Sequence, residues 1–141
     1  EVISIRRTNR PIVPNTVIVE IWGVQTDTSN PWVVSWDGGS VKEVEYGETL
    51  ADGLAGGIPQ SLLSLAKLRV KGILEVTEKE LAAAIAFMHR EQHQVIEGAG
   101  AVGIAALLAG KAPVGGRRTG IVVSGGNIDE AKLLKVLAEN R

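Results

Sequence analysis

The pattern of apolar and polar positions divides the chain into alternating strand-like and helix-like stretches. Val17–Val24 (VIVEIWGV) is a β-branched apolar run and predicts a buried strand. Thr26–Asp37 is polar and turn-rich around Pro31, with Trp32 and Trp36 in need of cover. Val41–Tyr46 alternates apolar and charged residues, the pattern of a short or edge strand. Gly47–Gly57 reads as a glycine-rich loop. After Pro59, the spacing predicts a helix over Gln60–Leu68, with Leu62, Leu65, Ala66 and Leu68 as its apolar positions. Ile73–Val76 predicts a short strand.

Thr77-Glu78-Lys79-Glu80 has the form of a capping box, Thr at the N-cap and Glu three residues on. The helix it opens runs to about His93, with Leu81, Ala84, Ile85 and Met88 on one face. Gly98–Gly110 is dense in Ala and Gly and predicts a closely packed, buried helix that ends at Gly110-Lys-Ala-Pro113. Thr119–Val123 predicts a second buried strand. It leads through Ser124-Gly-Gly-Asn127 into a final helix over Asp129–Asn140. Strands alternating with helices imply an α/β fold with a mostly parallel sheet between helical layers. Residues 1–16, broken by Pro11, Pro14 and Asn15, read as an irregular segment, and 17–141 as one α/β domain.

Composition narrows the functional classes. With 141 residues, 22% charged and 45% hydrophobic, the chain has the make-up of one globular domain. Its 15 Lys+Arg against 16 Asp+Glu give a net charge of −1, which argues against a nucleic-acid-binding surface. No cysteine is present, so there is no disulfide, Cys-ligated zinc or Cys nucleophile, in keeping with a cytoplasmic setting. No signal-peptide pattern opens the sequence and no uncharged apolar run is long enough for a transmembrane helix, so no membrane partner is expected.

The 17 glycines gather at element junctions: Gly56-Gly57, Gly98-x-Gly100-x-x-Gly103 and Gly125-Gly126. Glycine in such places marks close backbone approach. Ile121-Val-Val-Ser-Gly-Gly-Asn-Ile-Asp129 is an apolar strand that ends in a hydroxyl, two glycines and a helix start. Ligands in open α/β sheets sit beyond strand carboxyl ends, and helix-start N–H groups favour anions or ring acceptors. The same residues also describe a plain tight turn capped by Asn127 or Asp129. His89 and His93 stand four apart on a predicted helix, a spacing that two metal ligands can have, but beside Arg90 and Gln92 they read as two solvated side chains and no metal site is assigned to them. Arg117-Arg118 reads as an exposed loop.

Three segments carry a family resemblance. Ser124-Gly-Gly-Asn-Ile-Asp129 after an apolar strand resembles the C-terminal signature of fold-type II pyridoxal-phosphate enzymes, the group containing threonine dehydratase and serine racemase. Thr49-Leu-Ala-Asp-Gly-Leu54 resembles that family's T-I-A-D-G-[ILV] loop. Glu97-Gly-Ala-Gly-Ala101 resembles its E-P-x-G-A helix start, with Gly98 where the family often has Pro. The order and spacing agree over residues 17–140. The fold implied is the C-terminal part of the family's large domain.

The resemblance implies pyridoxal 5'-phosphate as cofactor. Ser124 matches the serine that hydrogen-bonds the pyridine nitrogen. A hydroxyl, unlike Asp, carries no charge to hold that nitrogen protonated, so the electron sink is milder. Gly125, Gly126 and Asn127 would form the wall beside the ring, and Gly53 would bring a loop carbonyl close to the cofactor. Asp52 is expected to brace that loop. Glu97 matches a carboxylate aimed at the ring region, and it also suits a helix start on electrostatic grounds alone. No catalytic residue is assigned within the chain: the lysines present lack the S-x-K-x-R context of the Schiff-base lysine, which is expected upstream along with the phosphate-binding glycine loop. The resemblance's metal site is not carried over, because Gln25 stands where a Glu would ligate the cation.

The function implied is the C-terminal cofactor-binding portion of a lyase deaminating hydroxy amino acids to 2-oxo acids, inactive until completed by an upstream segment. It would work as a homo-oligomer or in association with that missing part. The alternative is a non-catalytic remnant that serves as a binding or oligomerisation module, with Trp22, Trp32, Trp36 and the Ala-rich helix as its surface.

Overall fold

The computed structural model describes residues 19–140. The expected irregular segment 1–16, and the first two residues of the Val17–Val24 strand, lie outside them. Two strands pair in parallel, β1 (Trp22–Thr26) and β2 (Gly72–Val76). Trp22 stands opposite Gly72, and Gly23 opposite Ile73. Each glycine admits a large neighbour: a Cβ on Gly72 would fall 2.7 Å from the Trp22 ring, and one on Gly23 equally close to the Ile73 side chain. The crossover between the strands holds α1 (Pro31–Trp36), a single 3-10 turn (Asp52–Leu54) and α2 (Gln60–Arg69). After β2 come α3 (Glu78–Glu91), α4 (Gly98–Leu108) and α5 (Glu130–Glu139).

The fold is α/β with parallel strand pairing, as the alternation of elements predicts. Helices α1 and α4 pack against the strands, α3 lies along α4, and α5 rests on α3. The predicted apolar face of α3 is in the core: Leu81, Ala84, Ile85 and Met88 are all buried. They meet Ala101, Ala105 and Ala106 of α4, whose small side chains let the two helices approach closely. The capping box forms as expected. Thr77 accepts from the Glu80 N–H at 3.2 Å, and Glu80 accepts from the Thr77 N–H at 2.7 Å. Lys111 adds an ion pair to the same Glu80 oxygen at 2.7 Å, and with the Thr77 N–H it holds this carboxyl below the usual carboxylate range. Helix α4 ends in a Schellman turn, with Gly110 at φ +69° and Lys111 N–H returning to the Ala106 carbonyl at 2.9 Å.

Five segments differ from the sequence reading. Of the described part of Val17–Val24, only Trp22–Val24 lie in a strand and none is buried; the strand runs on instead to the buried Gln25 and Thr26. Pro31–Trp36 is a helix rather than a turn-rich stretch. Its cap comes from seven residues back, where the buried Gln25 side chain accepts from the Trp32 N–H at 2.9 Å. Val41–Tyr46 forms no strand, and side chains take its first two N–H groups: Val41 donates to Gln60 and Lys42 to Ser35, each at 2.9 Å. On α2 the buried residue is Leu63, while Leu62, Leu65 and Leu68 are exposed. Thr119–Val123 is not a buried strand, since Val122 is 85% exposed and no described strand lies alongside to take its backbone groups. Only Ile121 of this segment docks inward, against Gly103 of α4.

Candidate cofactor site

The three family-like segments, far apart in sequence, meet at the start of α4. Each glycine of Gly98-x-Gly100-x-x-Gly103 receives a different neighbour. A side chain at Gly98 would run into the Leu50 carbonyl of the Thr49–Leu54 loop. A Cβ at Gly100 would fall 3.1 Å from the Gly125 carbonyl oxygen and 3.4 Å from the Ser124 nitrogen, and one at Gly103 would fall 2.7 Å from the Ile121 side chain. The Glu97 N–H donates to the Gly125 carbonyl at 3.1 Å, which ties the Ser124–Asn127 turn to the helix entrance. Glycine here serves backbone-on-backbone packing, and these contacts bring Ser124, Gly53 and Glu97 around one helix end.

The individual residues stand as follows. Ser124 and Asn127 are exposed, as are Gly126 and Gly53, while Gly125 and Glu97 are half-buried. The Glu97 carboxylate lies over Gly125, with Oε1 2.5 Å from where a Cβ would stand. Gly126 lies against the Val95 carbonyl, where a Cβ would be 2.6 Å from the oxygen. Gly53 is close to Ala99 of α4. Asp52 braces its own loop as expected: Oδ1 accepts from the Gly53 N–H at 2.9 Å, and Oδ2 pairs with Lys132 of α5 at 3.4 Å. Asp129, not Asn127, caps α5, accepting from the Lys132 N–H at 3.0 Å.

Glu78, to which the sequence reading gives no role, holds the Thr49–Leu50 segment from the first turn of α3. In the sequence Glu78 shows as a second carboxylate in a first turn whose capping is already complete.

The other candidates form no site. His93 does not share a helix with His89: it follows the end of α3 in the left-handed region, at φ +53°. Among the described residues no three His, Cys, Asp or Glu side chains group as a metal site. Gln25 serves as the cap of α1. Arg117 is in an exposed loop, paired with Glu20 at 2.9 Å. No described helix is long and apolar enough to cross a membrane.

An exposed hydroxyl at a glycine turn, with a half-buried carboxylate and a glycine loop beside it, is a donor and acceptor set suited to the edge of a flat heteroaromatic ring. The lysine that reaches these loops among the described residues, Lys132, has a side chain 41% exposed and is paired with Asp52. The described residues therefore fit one side of pyridoxal phosphate.

Comparison with known proteins agrees. Residues 5–125 match the family model described as pyridoxal-phosphate dependent enzyme. The chain is 44% identical over 112 residues to the L-threonine ammonia-lyase of Thermotoga maritima, covering 79% of this chain and 28% of that protein. It is 30% identical over 131 residues to the serine racemase of Schizosaccharomyces pombe, covering 92% of this chain and 40% of that protein. The crystal structure of a threonine deaminase from T.th. superposes with a TM-score of 0.68 at 29% identity, over 78% of this chain and 40% of that one. The chain thus spans between 28% and 40% of the length of these relatives. On the family match and the shared geometry, the chain belongs to the pyridoxal-phosphate dependent enzymes, whose cofactor is pyridoxal phosphate.

Proposed function

We propose that this chain is the C-terminal cofactor-binding portion of a threonine/serine dehydratase-like ammonia-lyase, completed by a segment that bears the reactive lysine. The observation that carries this reading is the meeting of Thr49–Leu54, Glu97–Ala101 and Ser124–Asn127 at one helix entrance. The identity to an L-threonine ammonia-lyase supports the substrate class, a hydroxy amino acid.

Within this reading Ser124 hydrogen-bonds the ring nitrogen without charging it. Gly125, Gly126 and Asn127 form the wall beside the ring. Gly53 brings the loop main chain up to the cofactor, and Glu97 orients groups at the ring's edge. Pyridoxal phosphate, when bound, supplies the electron-withdrawing system that eases loss of the substrate's α-proton and then its β-hydroxyl. The segments proposed for a purely binding role are largely used internally: Trp22 packs on Gly72, Trp36 carries Lys67 at 5.8 Å, and Ala101, Ala105 and Ala106 of α4 are core.

The test combines the chain with a lysine-bearing N-terminal segment of a family member and pyridoxal phosphate. Formation of ammonia and a 2-oxo acid from L-threonine or L-serine is expected. An assembly that binds the cofactor yet yields no 2-oxo acid from either would overturn the reading.

A further inference from the structure

We propose that Glu78 is a positioning residue: from α3, outside the site, it sets where the Thr49–Gly53 loop lies against α4. The inference rests on the cofactor-site reading only for its functional consequence, not for the placement itself.

Both oxygens of the Glu78 carboxylate are engaged. Oε1 accepts from the Thr28 hydroxyl at 2.6 Å and from the Thr49 hydroxyl at 2.5 Å, while Oε2 accepts from the Leu50 N–H at 2.8 Å. Thr49 Oγ1 in turn accepts from the Ala51 N–H at 3.0 Å, which folds the loop's first turn. Two consecutive residues, Thr49 and Leu50, are thus pinned to one side chain. Leu50's carbonyl is the group that seats against Gly98, and Gly53 meets Ala99 a few residues on. The path from Glu78 to the α4 entrance therefore has three steps: carboxylate to Leu50 N–H, Leu50 carbonyl to Gly98, and Gly53 to Ala99. Charge-assisted hydrogen bonds are the strong kind, and three on one carboxylate fix a loop that otherwise has one 3-10 turn of its own. Capping of α3 leaves Glu78 free for this, because Thr77 and Glu80 complete the capping box between them.

The placement is tested by amide hydrogen exchange on the full chain. Glu78→Asp keeps the charge in α3's first turn and withdraws the carboxylate by one methylene, about 1.5 Å. Exchange at residues 50–53 should rise about tenfold in Glu78→Asp and in Thr49→Val, with Ile85 and Ala105 unchanged. Glu78→Gln should restore most of the protection, since its amide oxygen can still accept from Leu50. Unchanged exchange at 50–53 in Glu78→Asp, or an equal rise at every amide, would overturn the proposal. A second measurement uses the chain completed by a lysine-bearing segment: pyridoxal-phosphate affinity should fall about tenfold in Glu78→Asp. Raised loop exchange with unchanged affinity would leave Glu78's hold on the loop standing and remove the loop from the cofactor site.

Discussion

At the residue scale, glycine in this chain is a packing device whose partner is another part of the chain. Gly98 faces a backbone carbonyl, which cannot swing aside as a side chain would. Gly98→Ala should therefore destabilise the fold by about 2 kcal/mol or more, as overpacking against backbone does, read as a lowered midpoint in urea unfolding. Gly120 has no neighbour within 4 Å of a built Cβ. Gly120→Ala should stay within about 0.5 kcal/mol of the parent in the same assay. The sequence marks glycines as junctions but not what each admits. Ser124 was legible as a hydroxyl at a strand-like end, because a strand-to-helix turn displays its residues locally. The role of Glu78 was not, because its partners lie 28 to 50 residues away.

At the scale of elements, α3 is specified by its own sequence and α2 is not. The α3 cap, its apolar spacing and its burial agree. Its Glu80–Lys111 pair gives a pH dependence. The Glu80 carboxyl titrates below its ordinary value of 4.5 in the folded chain. A depressed folded value means the stabilisation is fully present above the unfolded value and is lost as pH falls through the folded one. Unfolding midpoints should thus drop below about pH 4.5. Lys111→Met should flatten that drop, with a difference of up to about 1 kcal/mol for a partly exposed pair. On α2 the pattern alone does not say which leucine turns inward. Leu63→Ala should cost about 2–5 kcal/mol, whereas Leu65→Ser should change the unfolding midpoint little, since Leu65 is 53% exposed.

At the scale of the whole molecule, the described residues form a two-stranded parallel sheet with helices, and Val122 and Val123, in the segment that runs past α4, are exposed. A β-branched run with no ladder neighbour among the described residues can serve as a template for strand addition. If the proposed function holds, the lysine-bearing segment would cover it. Val122→Lys should leave the chain's own unfolding unchanged and weaken association with that segment at least about tenfold, measured by titration calorimetry.

Taken alone, the sequence determined the α/β class, the capped α3, the small-residue α4, the α5 start and the family, because each rests on spacing within some fifteen residues or on short co-linear motifs. Tertiary structure decided what local pattern cannot carry. It made Pro31–Trp36 a helix through a glutamine cap from β1, gave the first N–H groups of Val41–Tyr46 to side chains rather than a strand, and set no described strand beside Thr119–Val123. It also brought three distant segments and Glu78 to one helix entrance. The physical reason is common to all three: a backbone hydrogen bond or a close carbonyl contact is satisfied by whatever the fold places opposite, and a single sequence does not name that partner.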